Sequence, residues 1–445
     1  MKKIFVSVGL AAAGAAGLPL AHGQGMESGA APKIWNVAAT LRGFYDDNYT
    51  VANNARGSFG FEFTPTLSAN KAFGQTDIGV RYAFGLFYYL QRDENGMDPM
   101  DYTHQAELWV DHSFNERWKL NVSDSLAMGQ DPKLLDHSGS TIRVEGNNLA
   151  NHANVKLDTE WTRQFSTSTH YQNSVYNFSQ GGVIGSPSNP TEAALLNRVE
   201  QTAGIDFQWQ FQPETMGFIG YQYSWVRYTE NSQIHVPVTL LANGSVWPFL
   251  PPFPPGSRQV NYFSNSRDNN SHYGYVGVDH KFSPNLRASV RGGVSYTDLF
   301  NDPVSPSTSL SPYADVNVTY TFIPGSYVQA GFTHDMNATD VATPSTTTGH
   351  LTQYQESSVV YVDVNHRFTP KLSGSIVGQY QFSSFQEGAY NGTGDSQVSF
   401  SSNLSYQINR YLSTEIGYNF DELISSIYGR DNTRNRVYIG LSASY

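Results

Sequence analysis

The chain contains no cysteine. This excludes a disulfide framework, a thiolate metal site and any cysteine nucleophile. Basic residues are scarce: 27 Lys and Arg stand against 38 Asp and Glu, a formal charge of −11. That balance argues against nucleic acid as a partner. Beyond the N-terminus no stretch approaches the roughly 18 uninterrupted apolar residues that a membrane-crossing helix needs. Hydrophobic residues make up only 39% of the chain, yet 14% is aromatic, with 28 Tyr and 26 Phe. A soluble globule of this length is usually richer in Leu, Ile and Val. Enzyme signatures are missing as well: there is no GxSxG, no HExxH and no Gly-rich phosphate loop, and the 12 histidines do not cluster at ligand spacing. The chain is therefore read as a non-enzyme, with no cofactor and no metal expected.

The first 25 residues carry Lys2 and Lys3, an apolar run from Ile4 to about Leu20, then small residues at Ala21, Gly23 and Gly25. This is the pattern of a secretory signal peptide cleaved near residues 23–25. The run is rich in Ala and Gly and broken by Pro19, which suits an anchor poorly. Removing two lysines leaves 25 basic against 38 acidic residues, so the mature domain, 26–445, carries −13.

A short unit then recurs: an aromatic residue, a polar residue, often Pro, and the start of an alternating run. It reads KFSPNL at 281–286, TFIPGS at 321–326, RFTPKL at 367–372 and QFQPET at 210–215, with looser copies at 112–120, 163–169 and 407–414. Anchors Phe114, Phe165, Phe211, Phe282, Phe322, Phe368 and Ile408 lie 51, 46, 71, 40, 46 and 40 residues apart. Each interval has room for two strands of roughly 10–15 residues and one polar loop, so the unit marks the short end of a recurring β-hairpin.

Between the units the period is two. Trp35, Val37, Leu41 and Tyr45 alternate with Asn36, Thr40 and Arg42; Phe59, Phe61, Phe63 and Leu67 alternate with Glu62, Thr64 and Thr66. Each such strand has one apolar and one polar face. Asp124 interrupts an apolar face, as a bulge or a rim position would, and the strand at 168–179 alternates poorly. The longest excursion, 231–269, contains WPFLPPFPPG. Nine strands fit before it and nine after it, a total of 18. An even total puts both termini on one side, with eight short turns and nine longer loops, and closure removes the unpaired edges of so wide a sheet. The expected fold is all-β: a transmembrane antiparallel up-and-down β-barrel of about 18 strands, with short periplasmic turns and longer extracellular loops.

The last strand alternates Val437, Ile439, Leu441, Ala443 and Tyr445 up to a terminal aromatic. It resembles the C-terminal recognition strand that bacterial outer-membrane proteins present to their barrel-assembly machinery. Together with the hairpin repeat, it makes nearly the whole mature chain resemble porin-like outer-membrane barrels of Gram-negative bacteria, and in particular the group called putative β-barrel porin 2. The resemblance implies a location in the outer membrane, contact with its lipid and lipopolysaccharide, and small hydrophilic solutes as passengers. A trimeric assembly is compatible with it, but nothing in the sequence calls for one.

Function in a barrel belongs on the inward phase. There the early strands and the last offer Arg42, Arg81 and Arg436, while strands four to six offer Glu107, Asp111, Asp158 and Glu160. A basic wall facing an acidic one would orient polar solutes, as porin eyelets do; the plainer alternative is scattered lumen ion pairs. The long loop carries Trp247, Phe249, Leu250 and Phe253 among five prolines, so it is expected to bury them, either by constricting the pore or by packing over its mouth. Inward-phase Tyr275, Tyr313, Tyr327, Tyr361 and Tyr438 could guide sugars, although most aromatics in a barrel belong to interfacial girdles. The function expected is a channel for passive diffusion of small hydrophilic solutes, with a mild cation preference from its net acidity. The rival is a non-conducting barrel, plugged by 231–269, that serves as a structural or polysaccharide-secretion partner.

Overall fold

The computed structural model describes residues 34–130, 133–135, 141–143, 147–179, 185–249 and 251–445. The expected signal peptide at 1–25, the residues that follow it to 33, and Leu250 lie outside the described residues.

Period-two alternation becomes strand throughout. The chain runs β1 (Trp35–Asp46), β2 (Ser58–Phe73), β3 (Thr76–Tyr89), β4 (Met100–Ser113), β5 (Trp118–Gly129), β6 (Lys133–Leu135), β7 (Thr141–Arg143), β8 (Asn147–Glu160), β9 (Phe165–Ser179), α1 (Glu192–Leu196), β10 (Arg198–Gln212) and β11 (Thr215–Tyr228). It continues with β12 (Gln233–Leu240), β13 (Arg258–Phe263), β14 (Asn269–Ser283), β15 (Leu286–Leu299), β16 (Ser307–Ile323), β17 (Ser326–Asn337), β18 (Tyr354–Arg367), β19 (Leu372–Gln386), β20 (Gly394–Gln407), β21 (Leu412–Ser425) and β22 (Asn432–Ser444). Eighteen of these strands form one antiparallel sheet, while β6–β7 and β12–β13 are separate hairpins within loops. The sheet closes on itself where β1 pairs with β22, from Ala38↔Ser444 to Asp46↔Arg436. Among the described residues no helix is long and apolar enough to cross a membrane.

The expected faces hold. Phe59, Phe61, Phe63 and Leu67 stand exposed on the outer wall, and Glu62 between them is buried. The recurring unit has a physical basis in its polar residue, whose side chain caps the turn. Asn115 Oδ1 accepts hydrogen bonds from the N–H groups of Arg117 and Trp118. Ser283 does the same for Asn285 and Leu286, Thr369 for Lys371 and Leu372, and Asn409 for Tyr411 and Leu412. The copy at 163–169 is shifted from its expected place: Thr162 caps Gln164 and Phe165, so the anchor of that turn is Trp161, and Phe165 opens the next strand. The turn near 70–75 is two residues long and needs Gly74, whose φ of 57° lies in the left-handed region.

Three anchors gain a partner two residues upstream. The rings of His112 and Phe114, His280 and Phe282, and His366 and Phe368 meet edge-to-face at 4.5, 4.4 and 4.5 Å. They contribute to an aromatic belt at the turn end, which Trp35 and Tyr411 join on either side of Tyr445.

The weak alternation of β9 also has a cause. On the outer wall its Asn173 pairs in register with Gln201 of β10, and the Tyr171 hydroxyl donates to Gln201 at 3.1 Å. Asp124 marks neither a bulge nor a register slip. The β4–β5 ladder runs unbroken through it, and its carboxylate accepts from Asn151 Nδ2 at 2.6 Å. Tyr171 with Gln201, and Asn151 with Asp124, thus satisfy one another on the outer wall, which limits their cost on an apolar surface.

Candidate functional site

The lumen has two dissimilar walls. On one, β1 and β22 present Arg42, Arg434 and Arg436, each beside a carboxylate. Arg42 donates to Glu62 at 2.8 Å and to Glu415 at 2.6 Å. Arg434 clasps Asp46 at 2.6 Å, and Arg436 lies 3.7 Å from Glu62. Aromatic rings fill the gaps between them: the Arg436 guanidinium sits 4.0 Å from the Phe44 ring, and that of Arg42 sits 4.8 Å from Tyr438. Guanidinium planes stack readily on such faces.

The other wall carries tyrosines and aspartates. Tyr275 donates to Asp206 at 2.7 Å, Tyr273 to Asp335 at 3.2 Å and Tyr327 to Asp363 at 3.0 Å. Tyr313 packs between Tyr273 and Tyr275, with ring centroids 5.5 and 5.6 Å away. Arg291 stands on the same wall over the Phe218 ring at 5.0 Å. Around the closed sheet β14 lies nine strands from β1 in either direction, so this wall is diametrically opposite the arginines.

The residues singled out from sequence divide accordingly. Arg42, Arg81 and Arg436 share one side of the lumen. Glu107, Asp111, Asp158 and Glu160 do not face them, because β4 and β8 follow only three and five strands after β1. Glu107 instead pairs with Arg81 on the adjacent strand at 3.0 Å. Asp111 accepts from Asn121 at 2.6 Å, Asp158 lies 3.2 Å from Lys156, and Glu160 is exposed at the turn end. The acids across from the arginines are Asp206 and Asp315, each seven strands from β1, while Asp335 and Asp363 flank that wall five and four strands from β22. Their strands alternate as plainly as the others, but ring position shows only once the strand order is fixed. Tyr275, Tyr313, Tyr327, Tyr361 and Tyr438 all occupy the inward phase, and Tyr361 and Tyr438 accept from Asn317 and Asn403.

Loops fill the far end. Ile234, Leu240, Val260 and Tyr262 of the β12–β13 hairpin pack with Leu195 and Leu196 of α1, Leu351, and the inward-facing Tyr176 and Phe178 of β9. Tyr262 donates to the Gly349 carbonyl at 2.5 Å. Arg267, fully buried, donates to the carbonyls of Thr339 and Leu195. The long loop thus enters the barrel mouth through its hairpin and not through its aromatic tip. Phe249 is 66% exposed and Phe253 39%, with Trp247 set against Phe249 at 5.0 Å. The proline-rich tip is held outside because the alternating residues of β12 and β13 are the ones that fit the apolar gap between loops.

At the seam, Val437, Ile439, Leu441 and Tyr445 all stand exposed on the outer wall. A closed ring of 18 antiparallel strands, apolar without and charged within, has the architecture of a membrane-spanning β-barrel. Residues 264–445, less than half of the chain, match the model of the family described as putative beta-barrel porin 2. No curated protein matches the sequence. Among solved structures, OccAB4 of Acinetobacter baumannii aligns over 93% of this chain and 99% of its own, at 11% identity and a TM-score of 0.39. The outer membrane protein OpdK of Pseudomonas aeruginosa aligns over 92% and 99%, at 11% identity and 0.42.

Proposed function

We propose that the barrel is a channel through which small hydrophilic solutes diffuse across the outer membrane of a Gram-negative bacterium, with a mild preference for cations and no catalytic step. The observation that carries this reading is the divided lumen, in which arginines compensated by neighbouring acids face a band of tyrosines and aspartates. A solute between them meets hydrogen-bond partners on both sides and an excess of carboxylate on one. The family match over 264–445 supports the reading through the porin in its name. Export by the signal peptide at 1–25 and insertion through the strand ending in Tyr445 belong to the same proposal, as does contact with lipopolysaccharide at the loop rim.

The packed loops at the mouth favour a second reading, a plugged barrel that serves as a structural or secretion partner. Single-channel recording of folded protein in a planar bilayer under a KCl gradient separates the two. Stable conductance steps with a cation-shifted reversal potential support the channel. Silence from protein shown to be folded, together with conductance after removal of 231–269, supports the plug.

A further inference from the structure

Three loops meet at the outer mouth beside the packed core: 300–306, 338–353 and 387–393. Each contributes one group to a cluster that neither lumen wall nor the core itself accounts for. Asp302, whose side chain is fully buried, lies 2.9 Å from His350 Nδ1, and Glu387 Oε2 lies 3.8 Å from the same nitrogen. One donor atom from each of the three falls within 4.8 Å of the others. A fourth group touches them: Gln353, 2% exposed, donates its Nε2 to Asp302 at 3.0 Å, and its Oε1 is buried with no hydrogen-bond partner. Glu387 Oε2 likewise takes no hydrogen bond.

Two carboxylates and an imidazole nitrogen, joined by the Gln353 oxygen once that amide turns over, form a donor set that suits a divalent cation such as Zn²⁺ or Mn²⁺. The spacing fits as well. Ligand atoms about 2.0–2.2 Å from a common ion lie a little over 3 Å from one another, so closing this cluster on an ion takes only small side-chain movements. We propose that Asp302, His350 and Glu387, with Gln353 as a fourth donor, form a divalent-cation site that staples three outer loops together over the barrel mouth.

The site shares no residue with either lumen wall, so it stands or falls apart from the channel reading. The test uses the whole barrel, folded in detergent, stripped with EDTA and titrated calorimetrically with ZnCl₂ and with MnCl₂ at pH 7. The expected result is one ion bound per chain, with affinity reduced at least about 10-fold in His350→Gln and in Glu387→Gln. Asp340→Asn, which removes an acid of the same loop as His350 that pairs with Arg430 and not with the cluster, should leave the affinity unchanged. Retained heat-modifiable gel mobility certifies that each variant is folded. The bound ion should also raise the thermal midpoint of the wild type and leave that of His350→Gln unmoved. Absence of binding by both ions overturns the proposal. So does binding of equal strength in the His350 and Glu387 variants, which would place the ion elsewhere.

Discussion

Arg42 and Glu415 are 373 residues apart in the chain and 2.6 Å apart in the barrel. Between them runs β22, and the residue that lies in register with both is Gly440. A Cβ there would come within 2.7 Å of Arg42 Cγ, so the absence of a side chain lets the ion pair close over the seam strand. Both partners are almost fully buried, at 4% and 9% side-chain exposure. Removing one leaves a charge poorly compensated. Glu415→Gln is expected to cost about 3 kcal/mol of stability, and Gly440→Leu is expected to weaken the seam by wedging the pair apart. The urea midpoint of the folded barrel measures both, and a shift no larger than that of a surface control would count against the ion pair.

The tyrosine–aspartate wall should set ion selectivity. Replacing Asp206, Asp315 and Asp335 together with Asn preserves side-chain volume and most hydrogen bonds while removing three lumen charges. The reversal potential in a KCl gradient is expected to move toward anions, with conductance little changed. The triple replacement of Glu107, Asp111 and Asp158 should move it less, because at least two of those acids already sit beside a cation.

Arg267 ties α1 to the loop that begins after β17 by donating to one carbonyl of each. Arg267→Ala should free the loop core at the mouth. Faster proteolysis within 338–353 and larger or noisier conductance steps are expected, with unchanged mobility of the folded barrel on gels.

Asp268, at the loop end of β14 and 8% exposed, gives a pH-dependent test. Burial pushes its carboxyl up, against the pull of the Tyr228 N–H, Arg227 and Asn301. A carboxyl raised on folding stabilises the fold most below its unfolded value, and that stabilisation is lost as pH climbs through the folded one. Asp268→Asn keeps an acceptor for the Tyr228 N–H but cannot ionise. Its thermal midpoint relative to the wild type should therefore be higher at pH 8 than at pH 4. An offset that does not change with pH would remove Asp268 from the account.

The C-terminal aromatic supplies a test of assembly. Tyr445 lies between Trp35 and Tyr411, and its backbone exchanges two hydrogen bonds with Val37. Tyr445→Ala should lower the yield of folded protein in cells far more than it lowers the stability of the protein that does fold.

The strands were legible because a half-buried strand writes its environment into every second residue, as Phe59, Glu62 and Phe63 show. All 18 lie where the alternation puts them, and the two weakest signals, β9 and the turn at Gly74, are weak for local reasons. Asn173 and Gln201 supply polar partners on the outer wall, and a two-residue turn leaves little sequence to read. The lumen was legible as a list of residues but not as an arrangement. Arg42 and Glu107 are both inward, yet which acids oppose the arginines depends on counting half-way round a ring. Loops were the least legible. Phe249 and Phe253 look like residues that must be buried, whereas Ile234 and Tyr262, ordinary in sequence, do the packing. Asp302, His350 and Glu387 are separated by 48 and 37 residues on three different loops, so no spacing rule could have joined them.

The seam between β1 and β22 makes the barrel an all-or-none object in time as well as in space. Seventeen strands cannot form a smaller version of it: until the last strand arrives, the sheet has two long edges with unpaired backbone groups and no inside. The partners that end this state, Val37 and Tyr445, are the first and last of the seam to be made. A chain released early is thus left open and adhesive, and any machinery that recognises the final strand in effect recognises that the rest has been delivered.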